Sequence, residues 1–124
     1  TLRKIKDNKK IAGITINPES SIETILPLID KKLVDEFLIM TVNPGLGGQD
    51  YMPEVESKIC IIRKRFPHLD ITVDGGIDDI SIGTAAAKGA NRFVVGSYLF
   101  SLKNLQSGIS NLRSIAELNY NHSP

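Results

Sequence analysis

The chain has 124 residues, which is room for one domain. Fifteen Lys and Arg against 14 Asp and Glu give a net charge of +1, so there is no basic field for nucleic acid or an anionic membrane surface. Hydrophobic residues make up 41%, too many for a disordered chain, and the single cysteine excludes an internal disulfide framework and fits a reducing compartment.

The basic stretch Arg3 to Lys10 reads as the end of a helix, and Ile11 to Ile16 as a β-branched strand. Asn17-Pro18 breaks that strand. Ser20 and Ser21 offer N-caps, with Glu23 in capping-box spacing to Ser20, for a helix carrying Ile22, Ile25, Leu26 and Ile29 on one face. Pro27 must kink or shorten it. A second strand, Glu36 to Val42, is nearly all apolar, as expected of a strand covered on both sides. The turn-rich loop Asn43 to Gln49 follows, then an amphipathic helix from Pro53 to Phe66. Ile71 to Val73 is the third strand, closed by Asp74-Gly75-Gly76. Asp78 or Asp79 caps an alanine-rich helix that stops at Gly89. Phe93 to Val95 is the fourth strand, followed by Gly96-Ser97 and a last helix from Asn104 to Leu118. The polar tail, residues 119–124, is expected to fray. Four strands, each followed by a helix over short connections, mean parallel βα units.

Functional groups in such folds gather at the carboxyl ends of the strands. Here those places are Asn17, the loop Asn43 to Gln49, Asp74-Gly75-Gly76 and Gly96-Ser97, three of them glycine-rich. Glycine admits positive φ and close approach of a ligand to backbone amides, and a helix starting just beyond adds free donors. Gly75-Gly76 and Gly96-Ser97 therefore suggest a cup for a phosphate monoester, although glycines that only make tight turns have the same spacing. Strand alternation turns Ile71 and Val73 toward the helices and Thr72 and Asp74 to the inner side. A carboxylate at that mouth needs a hydrogen bond, a metal or a catalytic task, and Asp74 is the leading catalytic candidate. As a bland alternative, Asp before Gly-Gly forms turns.

Met40 shares the parity of Leu38 and Val42 near the end of its strand, a place where methionine mostly packs. Cys60 reads as a packing residue of its helix, and Arg63-Lys64-Arg65 as a helix end favoured by the dipole rather than a nucleic-acid patch. His68 falls in a connection at the far end of the strands and His122 in the tail, so the histidines build no metal centre of their own.

The run Met40-Thr41-Val42-Asn43-Pro44-Gly45-Leu46-Gly47-Gly48-Gln49, then Val73-Asp74-Gly75-Gly76-Ile77, then Val95-Gly96-Ser97, closely resembles ribulose-phosphate 3-epimerase. Order and spacing match throughout, including Asn17-Pro18. Leu46 departs from the usual phenylalanine. The resemblance implies a (β/α)8 TIM barrel of the α/β class, of which residues 1–124 would be the carboxyl-terminal half, strands five to eight. It implies an isomerase of the pentose phosphate pathway that interconverts D-ribulose 5-phosphate and D-xylulose 5-phosphate. One aspartate takes the C3 proton, and another delivers a proton to the opposite face. A divalent metal, zinc, iron, manganese or cobalt, holds the enediolate. Carried over by motif, Asp74 resembles an acid/base aspartate and a metal ligand. Gly45, Leu46, Gly47, Gly48, Gly75, Gly76, Gly96 and Ser97 resemble substrate and phosphate contacts, and Met40 resembles a residue lining the reacting carbon. The other aspartate and the remaining metal ligands lie in the family's first half, and no residue here replaces them.

The expected partners are a sugar-phosphate substrate and either a second copy or the missing half-barrel, with no nucleic acid and no membrane. The expected location is cytoplasmic, since the apolar runs are short and the amino terminus has no signal-peptide pattern. Two other readings stay open: a catalytically silent half-barrel or phosphate-binding module, and an epimerase of a related six-carbon ketose phosphate.

Overall fold

The computed structural model describes residues 1–45 and 47–120. Helix α1 (Leu2–Asp7) leads into β1 (Gly13–Ile16), then α2 (Leu26–Asp30), β2 (Glu36–Met40), α3 (Glu56–Arg65), β3 (Asp70–Asp74), α4 (Ser81–Lys88), β4 (Arg92–Val94), α5 (Ser97–Ser101) and α6 (Leu105–Tyr120). The strands form one parallel sheet in the order β1-β2-β3-β4. Consecutive parallel neighbours joined by helices are the wall of a β/α barrel, as expected from sequence.

Burial alternates along the strands. Phe37, Ile39, Ile71 and Val73 are fully buried beneath helices, while Leu38, Met40, Thr72 and Asp74 between them are half-buried on the other face. The helices contribute Ile59, Ile62, Ile82 and Leu112 to this core. Each such side chain, removed from water, stabilises by about 1.5–3 kcal/mol. Glu36 to Met40 is therefore covered by helices on one side only, not on both as its apolar run suggests.

Several boundaries move for physical reasons. Strand β1 starts at Gly13, because the Ala12 amide is taken by the Asp35 carboxylate at 2.8 Å and Ile11 is left 73% exposed. Ser21, rather than Ser20, caps the next segment, accepting from the Glu23 amide at 3.3 Å. That segment splits into a 3-10 turn at Ile22–Thr24 and α2, with Pro27 in the first turn of α2 where its missing N–H is harmless. Pro53–Val55 is likewise a 3-10 turn ahead of α3. Helix α5 has no counterpart in the sequence reading, since five residues show no periodicity. Asn119 and Tyr120 continue α6 instead of belonging to a tail. His122 lies outside the described residues, as does the rest of that tail.

Arg63 does more than end a helix. It stands in the last turn of α3 as expected, yet it is 8% exposed, donating from Nε to the Gly89 carbonyl at 2.9 Å and from Nη1 to the carbonyls of Pro67 and Phe66 at 2.8 and 3.2 Å. Its guanidinium lies over the Tyr120 ring, 5.9 Å from the centroid. Cys60 is half-buried and His68 exposed.

At the amino ends of the strands, Arg92 bridges Glu36 and Asp70 at 2.7 Å each. Asn91 donates to Asp70 at 2.9 Å and accepts from the Ile71 amide at 2.8 Å. This polar cluster ties three strands together on the inner face.

Candidate active site

The glycine-rich loops meet at the opposite, carboxyl ends of the strands. They line an open cleft of about 590 Å³ that brings together Met40, Gly45, Gly47, Gly48, Asp74, Gly75, Gly76, Gly96 and Ser97. Leu46 lies outside the described residues. Asn17, at the end of β1, is exposed and does not line this cleft. Cys60 and His68 stay away from it.

Asp74 is the last residue of β3 and is paired in register with Met40 on one side and Val94 on the other. Its carboxylate therefore belongs to the inner face at the mouth, the placement that alternation demanded. The two glycines after it are there for different clashes. Gly75 has φ +128°, and a Cβ on it would stand 2.4 Å from Cγ2 of Val42. Gly76 has φ +66°, and a Cβ there would stand 2.5 Å from the Tyr51 amide nitrogen. Only glycine lets the turn press against both neighbours.

Thr41 secures the turn from below. It is fully buried; its hydroxyl donates to the Gly75 carbonyl at 2.5 Å and its amide to the Asp74 carbonyl at 2.9 Å. Its own carbonyl accepts from the Met52 amide at 2.8 Å. The sequence reading passed over Thr41, although one polar residue among Phe37, Ile39 and Val73 signals a buried hydrogen bond. Tyr51, Asp50, Asp78 and Tyr98 also line the cleft without having been anticipated. Burial pushes the Tyr51 phenol well above its ordinary range, helped by the Glu56 carboxylate that accepts its hydrogen bond at 3.1 Å. Tyr51 is therefore a neutral donor, braced away from proton exchange at neutral pH.

The expected helix-end donors fall differently. Helix α4 begins at Ser81, five residues beyond Gly76, and Asp78 Oδ1 accepts from the Ile80 and Ser81 amides at 3.0 and 2.8 Å. Burial works to raise Asp78, but the hydrogen bonds from Ser81 and Ile80 outweigh it and hold the carboxyl below its ordinary value. The start of α4 is thus occupied by its own chain. The other glycine pair differs, for α5 starts at Ser97, directly after Gly96, with no side chain capping it.

The metal implied by the sequence resemblance meets a thin donor set. Among the described residues there is no group of three or more His, Cys, Asp or Glu that could hold an ion. Asp74 supplies one carboxylate, so these residues by themselves do not fit the metal.

A one-sided parallel βα wall with its loops gathered around a strand-end carboxylate defines the (β/α)8-barrel class of enzyme. Residues 1–100 match the model of the ribulose-phosphate 3 epimerase family, and the chain belongs to that family. It is 39% identical over 123 residues to the cytoplasmic isoform of ribulose-phosphate 3-epimerase from rice, covering 98% of this chain and 54% of the relative. It is 39% identical over 104 residues to the Schizosaccharomyces pombe ribulose-phosphate 3-epimerase, covering 84% and 45%. Against that of Escherichia coli K12 the identity is 36% over 118 residues, covering 92% and 52%. The chain thus spans about half the length of these relatives. A crystal structure of the Amycolatopsis orientalis BexX/CysO complex superposes with a TM-score of 0.69 over 99% of this chain and 49% of that one. At 18% identity it shares the fold alone. No helix among the described residues is long and apolar enough to cross a membrane.

Proposed function

We propose that this chain supplies the carboxyl-terminal half of a ribulose-phosphate 3-epimerase, acting on D-ribulose 5-phosphate and D-xylulose 5-phosphate in the pentose phosphate pathway. The observation that carries the reading is the meeting of Asp74 with the Gly45–Gly48, Gly75-Gly76 and Gly96-Ser97 loops in one cleft. Gly75, Gly76, Gly96 and Ser97 hold the phosphate through loop amides and the Ser97 hydroxyl. Gly45, Gly47 and Gly48 contact the sugar, a role the family resemblance extends to Leu46, and Met40 packs beside the reacting carbon. Asp74 exchanges a proton at C3. When a carboxylate removes that proton, the C–H electron pair moves toward the C2 carbonyl and gives an enediolate; protonation from the other face inverts the centre. The acid on that second face, and the other donors that a divalent metal requires, must come from the half of the barrel that this chain does not span. The rice relative's name supports a cytoplasmic location.

The test is conversion of ribulose 5-phosphate to xylulose 5-phosphate by the full-length protein, read by NMR. Asp74→Asn is expected to lower the rate by about 10²–10⁴-fold while phosphate binding persists. Undiminished conversion to xylulose 5-phosphate in the variant would remove Asp74 from the reaction. A second reading rests on the donor set: the 124-residue chain by itself binds sugar phosphate and turns none over.

A further inference from the structure

We propose that Thr41 is a positioning residue whose buried hydroxyl sets the orientation of the Gly75–Gly76 peptide, aiming the Gly76 N–H into the cleft as a phosphate donor. This rests on the phosphate-binding part of the function proposed above. It adds a residue that touches no substrate.

The argument is one of peptide geometry. In a planar trans peptide, C=O and N–H point in opposite directions, so fixing one fixes the other. The Gly75 carbonyl points at the Thr41 hydroxyl, 2.5 Å away beneath the cleft floor. The Gly76 N–H of that same peptide must then point away from Thr41, toward the cleft that Gly76 lines. Among the described residues no acceptor takes this N–H.

With φ of +128° and +66°, Gly75 and Gly76 sit where glycine has wide freedom, and without the staple the peptide plane could rotate. Val42 and Tyr51 press on the two Cα positions but leave the carbonyl to Thr41. The Thr41 amide, bonded to the Asp74 carbonyl, holds the preceding peptide in the same way. One buried residue therefore orients two successive peptides between the proton-exchanging carboxylate and the phosphate end.

Thr41→Val, Thr41→Ala and Thr41→Ser, made in the full-length protein, separate the hydroxyl from the methyl. Calorimetric titration with inorganic phosphate is expected to show binding about tenfold weaker in Val and Ala, the loss of one well-aimed donor to an anion. Ser should remain within about twofold of the parent, and KM for ribulose 5-phosphate should rise with the phosphate constant while kcat changes less than threefold. Should Thr41→Val fail to fold, Ala against Ser carries the test, since both lack the methyl. Phosphate binding that is equal in Ala, Ser and parent overturns the proposal. So does a Ser variant as weak as Ala, or a parent that binds no phosphate. A parent that binds phosphate through Thr41 but turns over no ribulose 5-phosphate would sink the epimerase reading and leave the staple standing.

Discussion

Gly76→Ala would place a methyl group 2.5 Å from the Tyr51 amide nitrogen at a φ of +66°. Neither backbone can step aside, because Tyr51 leads into the segment whose Met52 amide is bonded to Thr41. The expected loss is about 1–3 kcal/mol, read as a lower urea midpoint, with weaker phosphate binding in the protein that remains folded. Gly47→Ala is the control, since nothing lies within 4 Å of its Cβ position, and it should hardly move the midpoint. The glycine pattern and Asp74 were legible in the sequence because turn chemistry and strand parity are local properties. Thr41 and Tyr51 were not singled out, because what they do depends on loops that are distant in sequence and meet only when β2 and β3 pair.

At the scale of elements, the existence and order of the strands and of every helix but α5 were readable, and boundaries moved where side chains capture backbone groups. Arg63 shows the difficulty. Flanked by Lys64 and Arg65 it reads only as part of a basic helix end, yet Gly89, closing α4 at φ +117°, leaves a carbonyl that only Arg63 reaches among the described residues. Arg63→Met keeps the length and removes the donors, stranding the carbonyls of Gly89 and Pro67. The expected cost is about 3 kcal/mol, seen in thermal or urea melts, whereas Lys64→Met should fall within about 0.5 kcal/mol. Asp35 gives a pH signature. Its carboxylate accepts from the Ala12 amide, then from Lys6, and both hold it below 3.8. A carboxyl lowered by folding contributes stability above its unfolded value and loses it as pH falls through its folded one. Denaturation midpoints should therefore drop on acidification below about pH 4 less steeply in Asp35→Asn than in the parent.

For the molecule as a whole, the sheet ends in two short strands, β1 and β4, with no further strand beside them among the described residues. An unpaired parallel edge next to a half-buried apolar face invites pairing. The 124-residue polypeptide prepared by itself is expected to sediment above the mass of one chain; a stable, cooperatively melting monomer would refute this. The Arg92 bridge between Glu36 and Asp70 had no signal in the residue pattern, since charged residues at strand ends announce no partners. That cluster sits at the amino ends of the strands, and the cleft sits a strand's length away at the carboxyl ends. Laboratory evolution could thus treat the two ends as separate dials. Libraries at Glu36, Asp70, Asn91 and Arg92 would select for heat tolerance, while libraries in the glycine loops would select for substrate range. Gains from the two could then be combined with little cross-talk, as additivity between distant sites allows.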